Sequence, residues 1–114
     1  MRRFFFMLLL VALLTACTAK PVPPEKSAYV GEWQSVSESV DMNIVIHQDG
    51  NVSYRRQEGS TTTTVNAGIK DFEGDNFVVG FGPFSTTFEV SKPPHAEQGD
   101  WKMVVDGVEL RRVR

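Results

Sequence analysis

Between Tyr29 and Arg114 a Gly-containing turn recurs about every ten residues, and the segments between turns alternate apolar with polar side chains. That rhythm leaves no space for a helix of ordinary length and matches short antiparallel strands. The distribution of aliphatic residues agrees. Of the 15 Val residues 14 follow the first 16 positions, whereas five of the six Leu residues lie within them, and β-branched side chains suit a pleated surface. An all-helical domain and a doubly wound sheet covered by helices are thereby excluded. The expected fold class is all-β: a small antiparallel meander of about eight short strands forming a barrel or barrel-like roll. A chain of 114 residues holds one such domain at most.

The expected strands are 29–35, 42–47, 52–57, 62–71, 76–81, 84–91, 100–105 and 108–113, and turn chemistry sets their registers. A three-residue loop Gln48-Asp49-Gly50 puts Ile46 opposite Val52 and Ile44 opposite Tyr54, whereas a two-residue Asp49-Gly50 turn would oppose Ile44 to Arg55, so the longer loop is selected. A Gly82-Pro83 turn pairs Phe81 with Phe84, Val79 with Thr86 and Phe77 with Phe88. A Glu73-Gly74-Asp75 loop sets Ile69 beside Val79 and Ala67 beside Phe81. Asp106-Gly107 pairs Val105 with Val108, Met103 with Leu110 and Trp101 with Arg112. The outer face then opposes Lys102 to Arg111, a like-charge pair needing an acidic neighbour such as Glu32 or Glu109. The inward set is Trp33, Met42, Ile44, Ile46, Val52, Tyr54, Ala67, Ile69, Phe77, Val79, Phe81, Phe84, Phe88, Trp101, Met103, Val105, Val108 and Leu110.

Ahead of this domain, Arg2 and Arg3 precede an unbroken apolar run of 11 residues, Phe4 to Leu14, followed by small residues, the three-part build of a secretory signal. As a helix the run covers roughly 16 Å, about half of a bilayer's hydrocarbon core. Its ending, Leu14-Thr15-Ala16-Cys17, resembles the lipobox of bacterial lipoproteins. The resemblance implies cleavage between Ala16 and Cys17, a thioether-linked diacylglycerol on Cys17, and an N-linked acyl chain such as palmitate. Two or three acyl chains hold a protein on a membrane where one does so only marginally. Thr18, in place of Asp after the Cys, implies sorting to the outer membrane, facing the periplasm, in a host with two membranes. Cys17 is the chain's only cysteine, so no intramolecular disulfide can form. The next ten residues, TAKPVPPEKS, contain three prolines and read as an extended tether reaching roughly 30 Å. The organisation expected is therefore a lipoprotein signal peptide over 1–16, lipidated Cys and Pro-rich linker over 17–28, and a β domain over 29–114. Without Arg2 and Arg3 the charge is 10 − 14 = −4, so bulk attraction to nucleic acid or to anionic lipid is not indicated.

The segment Val30-Gly31-Glu32-Trp33 and the late Arg112 resemble the Gly-x-Trp strand and closing Arg of lipocalin-like barrels. The resemblance implies a barrel-closing stack of Trp33 and Arg112, and the register above adds Trp101 to it. The domain is shorter than such barrels and has no helix after its strands. An eight-stranded barrel is either filled by side chains or holds one small ligand. In the second case Tyr54, Phe77, Phe81, Phe84, Phe88 and Met103 would face it, and the chain would carry a small apolar ligand such as a fatty acid.

Catalytic patterns are sparse. His47 and His95 lie in separate segments with no metal spacing, and no cofactor is implied. Ser60 to Thr64 lack a nucleophile elbow and read as strand formers. Asp71, Glu73 and Asp75 read as a solvated turn. Arg55, Arg56, Arg111, Arg112 and Arg114 form basic spots that could meet lipid phosphates or an acidic partner but read first as solvated strand surface. The expected role is non-catalytic: a binding or interaction module for an envelope protein or cell-wall component, using strand edges and an irregular loop over 92–99.

Overall fold

The structure, a computed structural model, describes residues 19–114 and their side chains except that of Phe81. The expected signal peptide over 1–16 and the expected lipidation site, Cys17, lie outside the described residues. A 3₁₀ helix, Pro24–Tyr29, leads into nine strands: β1 Gly31–Ser35, β2 Asp41–Ile46, β3 Asn51–Glu58, β4 Thr61–Glu73, β5 Asn76–Phe81, β6 Phe84–Phe88, β7 Val90–Glu97, β8 Asp100–Val105 and β9 Val108–Arg112. They form one antiparallel sheet, order β6-β5-β4-β3-β2-β1-β9-β8-β7, curled into a half-barrel.

Three turn registers agree with the sequence reading. Ile46 faces Val52 and Ile44 faces Tyr54, with Gly50 left-handed at φ 94°. Phe77 faces Phe88 and Phe81 faces Phe84. Met103 faces Leu110 across the Asp106-Gly107 turn. A fourth register arises by another route. Ile69 does face Val79, but Glu73 pairs with Asn76, so the turn is two residues long and an irregularity between Ile69 and Asp71 restores the alignment. An extra residue on one strand of a pair has the same effect on register as a longer loop.

The expected loop over 92–99 is a strand. β7 runs through Pro93 and Pro94, pairs with β8, and has irregular register from Val90 to His95. Proline cannot donate to a ladder, but β7 is the outermost strand, where one side of the backbone needs no donor. The turn beyond it is tight, with Gln98 at φ 54° and Gly99 at φ 86°. Strand count therefore rises from the expected eight to nine. Only Glu89 separates β6 from β7, which lie at opposite edges of the sheet. At this crossing the Glu89 amide donates to Asp106 Oδ1 at 2.9 Å, the Asp106 amide donates to the Glu89 carbonyl at 2.8 Å, and the Val90 amide donates to Asn76 Oδ1 at 2.7 Å. Those bonds tie the β4–β5 and β8–β9 turns to one point of the chain, which is how the two edges are brought round.

Ahead of β1 the chain is docked rather than extended into solvent. The Lys20 amide donates to the Ile69 carbonyl (3.3 Å) and the Val22 amide to the Gln48 carbonyl (3.0 Å), while Gln48 Nε2 donates back to the Val22 carbonyl (2.9 Å). Val22 and Tyr29 are buried with the core. The domain thus begins by Ala19, not at residue 29, and the expected tether is largely part of it. A Pro-rich composition dictates an extended backbone, but an extended segment carrying an apolar Val can lie against a sheet as readily as in water.

Candidate functional site

The region that assembles the sequence-singled residues lies where β1, β9 and β8 run side by side. Trp33 on β1 and Arg112 on β9 are direct cross-strand partners. Trp33 is fully buried, and its indole Nε1 donates to the Tyr29 carbonyl at 2.9 Å. The Arg112 guanidinium carbon lies 5.8 Å from the Trp33 ring centre and 5.1 Å from the Trp101 ring centre. The three residues of the expected stack are therefore together. Gly31 explains why the motif carries glycine two positions before the tryptophan. A Cβ there would lie 2.8 Å from Arg112 Cδ and 2.6 Å from the Arg114 carbonyl oxygen, and the φ of 142° is one that side chains avoid. The stem of Arg112 crosses the space that the missing side chain leaves.

Trp101 departs from the inward expectation, being 38 % exposed, and Phe84 departs further at 70 %. Phe84 opens an edge strand with no strand beyond it, whereas Trp101 on β8 is paired with Ala96 of β7, whose methyl group leaves the indole uncovered on that side. Trp101 consequently forms the solvent-facing side of the Arg112 stack. Among the described residues Arg112 makes no ion pair.

The opposite face here is charged. Lys102 does pair with Arg111 in register, and its Nζ lies 3.6 Å from both Glu97 and Glu109, which offsets the like charge. Glu32 instead accepts from Asn43 Nδ2 (3.0 Å) and from Arg114 Nε (3.0 Å), and those bonds, Asn43's first, hold its carboxyl below the usual range. His95 sits with Nδ1 2.9 Å from the Pro93 carbonyl and Nε2 3.1 Å from Glu97. The carbonyl first, then the carboxylate, favour its protonated form and raise its pKa.

Of the residues expected to face a ligand, Tyr54, Phe77, Phe88 and Met103 are buried among one another. Phe88 meets Tyr54 edge-on at 4.9 Å and stacks on Phe77 at 5.0 Å. Phe84 is outside this group, and the Phe81 side chain lies outside the described residues. His47 and His95 are exposed or half-buried on separate strand ends, and Thr61 to Thr64 are exposed on β4. Asp75 lies 3.9 Å from Lys26, whose ammonium also donates to the Gly74 carbonyl at 2.7 Å and stands over the Tyr29 and Phe72 rings. No group of three or more His, Cys, Asp or Glu residues is placed to hold a metal among the described residues. Sequence reasoning missed Val22, Tyr29 and Val90 as core. An isolated Val between prolines gives no periodic signal.

The fold and this region define a small all-β domain whose curled antiparallel sheet is buttressed by an arginine between two tryptophans. Comparison with protein-family models, curated proteins and solved structures gave no match for the chain.

Proposed function

We propose that the chain is a bacterial lipoprotein, anchored through Cys17, whose β domain acts by binding an envelope protein or a cell-wall component and not by catalysis. In a host with two membranes the anchor would be in the outer membrane, facing the periplasm. Lipidation rests on the Leu14-Thr15-Ala16-Cys17 ending. The observation that carries the binding role is the pairing of an aromatic core packed on itself with a Trp101–Arg112 surface left open. Aromatic and arginine side chains presented together are the residue types that dominate recognition surfaces. The alternative, a lipocalin-like carrier of a small apolar ligand, has less support, because Phe77, Phe88 and Tyr54 occupy with their own rings the space that a ligand would need.

Three experiments test this. Cys17→Ser should abolish acyl labelling and release or leave unprocessed the protein; unchanged membrane retention with normal processing would overturn lipidation. A photo-crosslinking amino acid placed at Trp101 in living cells should give discrete adducts that the same group at Ser60 does not. Equal adduct patterns at both positions would overturn the binding role, and a small mass lost on denaturation in native mass spectrometry would favour the carrier.

A further inference from the structure

We infer that the free edge of β6 is a docking edge for an extended segment of a partner protein, which adds beside Ser85 and Thr87 as a further strand of the sheet. The inference goes beyond the reading above and depends neither on lipidation nor on the Trp101–Arg112 surface.

Backbone parity decides which groups the edge presents. Phe81 and Phe84 face each other across the two-residue Gly82-Pro83 turn, and residues flanking such a turn exchange both of their backbone bonds. The Phe84 carbonyl is turned that way, over Gly80, where a Cβ would collide with it. Phe84, Thr86 and Phe88 therefore bond to β5, and Ser85, Thr87 and Glu89 present N–H and C=O to the opposite side. At Glu89 that side is already filled: its amide donates to Asp106 Oδ1 at 2.9 Å, and its carbonyl accepts from the Asp106 amide at 2.8 Å. Asp106 thus stands where one residue of a neighbouring strand would stand, but its chain turns back at Gly107 into β9. Thr87 and Ser85 come next along the edge, and among the described residues nothing bonds to their outward groups.

The two edges of the sheet are built differently. β7 is interrupted by Pro93 and Pro94 and by register shifts. β6 pairs with β5 without a shift, contains no proline or charged residue, and is exposed from Phe84 to Thr87. Devices that block strand addition are present on one edge and absent from the other. An unblocked edge takes up an extended peptide through main-chain bonds and selects its side chains at alternate positions.

The surroundings select the occupant. A second copy pairing antiparallel through its own β6, with Ser85 opposite Thr87, would bring its Pro83 opposite Glu89, the place that Asp106 holds. Shifting the register by two residues either way leaves a single outward pair, Ser85 or Thr87 opposite itself. An extended segment of a different chain, free to end or bend away at Asp106, meets no such obstacle. Its inward side chain would lie beside the Phe84 ring, which is 70 % exposed, so an apolar residue suits that position. Toward Asp106 the edge is acidic, and among the described residues neither Glu89 nor Asp106 forms an ion pair, so a Lys or Arg suits that end.

The test takes the full mature chain and, as probe, a phage-displayed library of short random peptides. Selected peptides should carry an apolar residue and a Lys or Arg in an alternating pattern. Adding one of them as a synthetic peptide should slow amide hydrogen exchange at Ser85 and Thr87 by about tenfold or more, with Phe84 and Thr86 unchanged, as read by NMR. Ser85→Pro and Thr87→Pro each remove one outward donor and should weaken binding at least about fivefold. Exchange in the unsubstituted chain decides the matter where a proline variant fails to fold. Peptides that protect other amides, or no peptide enriched over a target-free selection, would overturn the docking edge. Protection of Ser85 and Thr87 that rises with protein concentration and needs no peptide would assign the edge to a second copy and overturn the choice of occupant.

Discussion

Arg112 and Trp33 face each other across the β1–β9 ladder, with the guanidinium carbon 5.8 Å from the indole centre. The pair joins the first strand of the chain to its last. Because β1 and β9 are central in the sheet, this contact lies at the seam between two meanders, β2 to β6 on one side and β7 to β8 on the other. A tryptophan there is supported from the N-terminal side too, through its bond to the Tyr29 carbonyl.

Arg112→Ala should therefore destabilise the domain by about 1–2 kcal/mol, combining loss of a cation–aromatic stack with loss of the stem's packing. Arg112→Lys should recover less than half of that, since an ammonium lacks a planar face to lay between two indoles. Urea denaturation followed by tryptophan fluorescence measures both. Equal stability of all three proteins would refute a structural role for the stack.

Phe88 touches both Tyr54 and Phe77 and is almost fully buried. Phe88→Ala should cost about 3–5 kcal/mol, a large part of the stability of a small domain. The same substitution at Phe84 should change stability by less than about 0.5 kcal/mol, as expected for an exposed site. Comparable losses at the two positions would contradict the burial difference.

Burial first, and then the nearby Asp75 carboxylate, push the Tyr29 hydroxyl from 10.0 up to about 12. Its hydroxyl also donates to the Asp75 carbonyl at 2.8 Å. The folded-state pKa lies above the unfolded value, so the stabilising contribution is complete below pH 10 and is lost as pH rises through about 12. Absorbance at the phenolate band should show Tyr29 still protonated at pH 10.5 in the folded protein, an estimate between the two values. Tyr29→Phe should flatten the alkaline loss of stability. Ionisation of Tyr29 near the ordinary value would show that the 3₁₀ helix is not docked.

Pro93 and Pro94 blunt the outermost strand β7, where a continuous row of donors would invite pairing with another chain. Replacing both by Val should raise the concentration-dependent apparent mass in light scattering relative to the parent protein. A double variant that associates no more than the parent would show that the edge is protected by something else, such as the bulges between Val90 and His95.

What the sequence determined by itself is local: the strand positions, the parity of inward residues, and the pairing across each tight hairpin. These follow from period-two alternation and from turn residues whose backbone angles are restricted, and both act over a few residues. The Trp33–Arg112 partnership was also legible, but through a motif resemblance and not through periodicity. Tertiary structure alone decided three things. It made strand out of the Pro-rich segment 90–97, because an edge position removes the need for two backbone donors. It turned the expected tether into part of the domain, because burial of Val22 and Tyr29 depends on surfaces formed by residues 48, 69, 75 and 77 far along the chain. It left Phe84 and Trp101 partly or largely in solvent, because side-chain parity says which face a residue takes, while the neighbouring strands, absent beyond Phe84 and carrying only Ala96 beside Trp101, decide whether that face is covered.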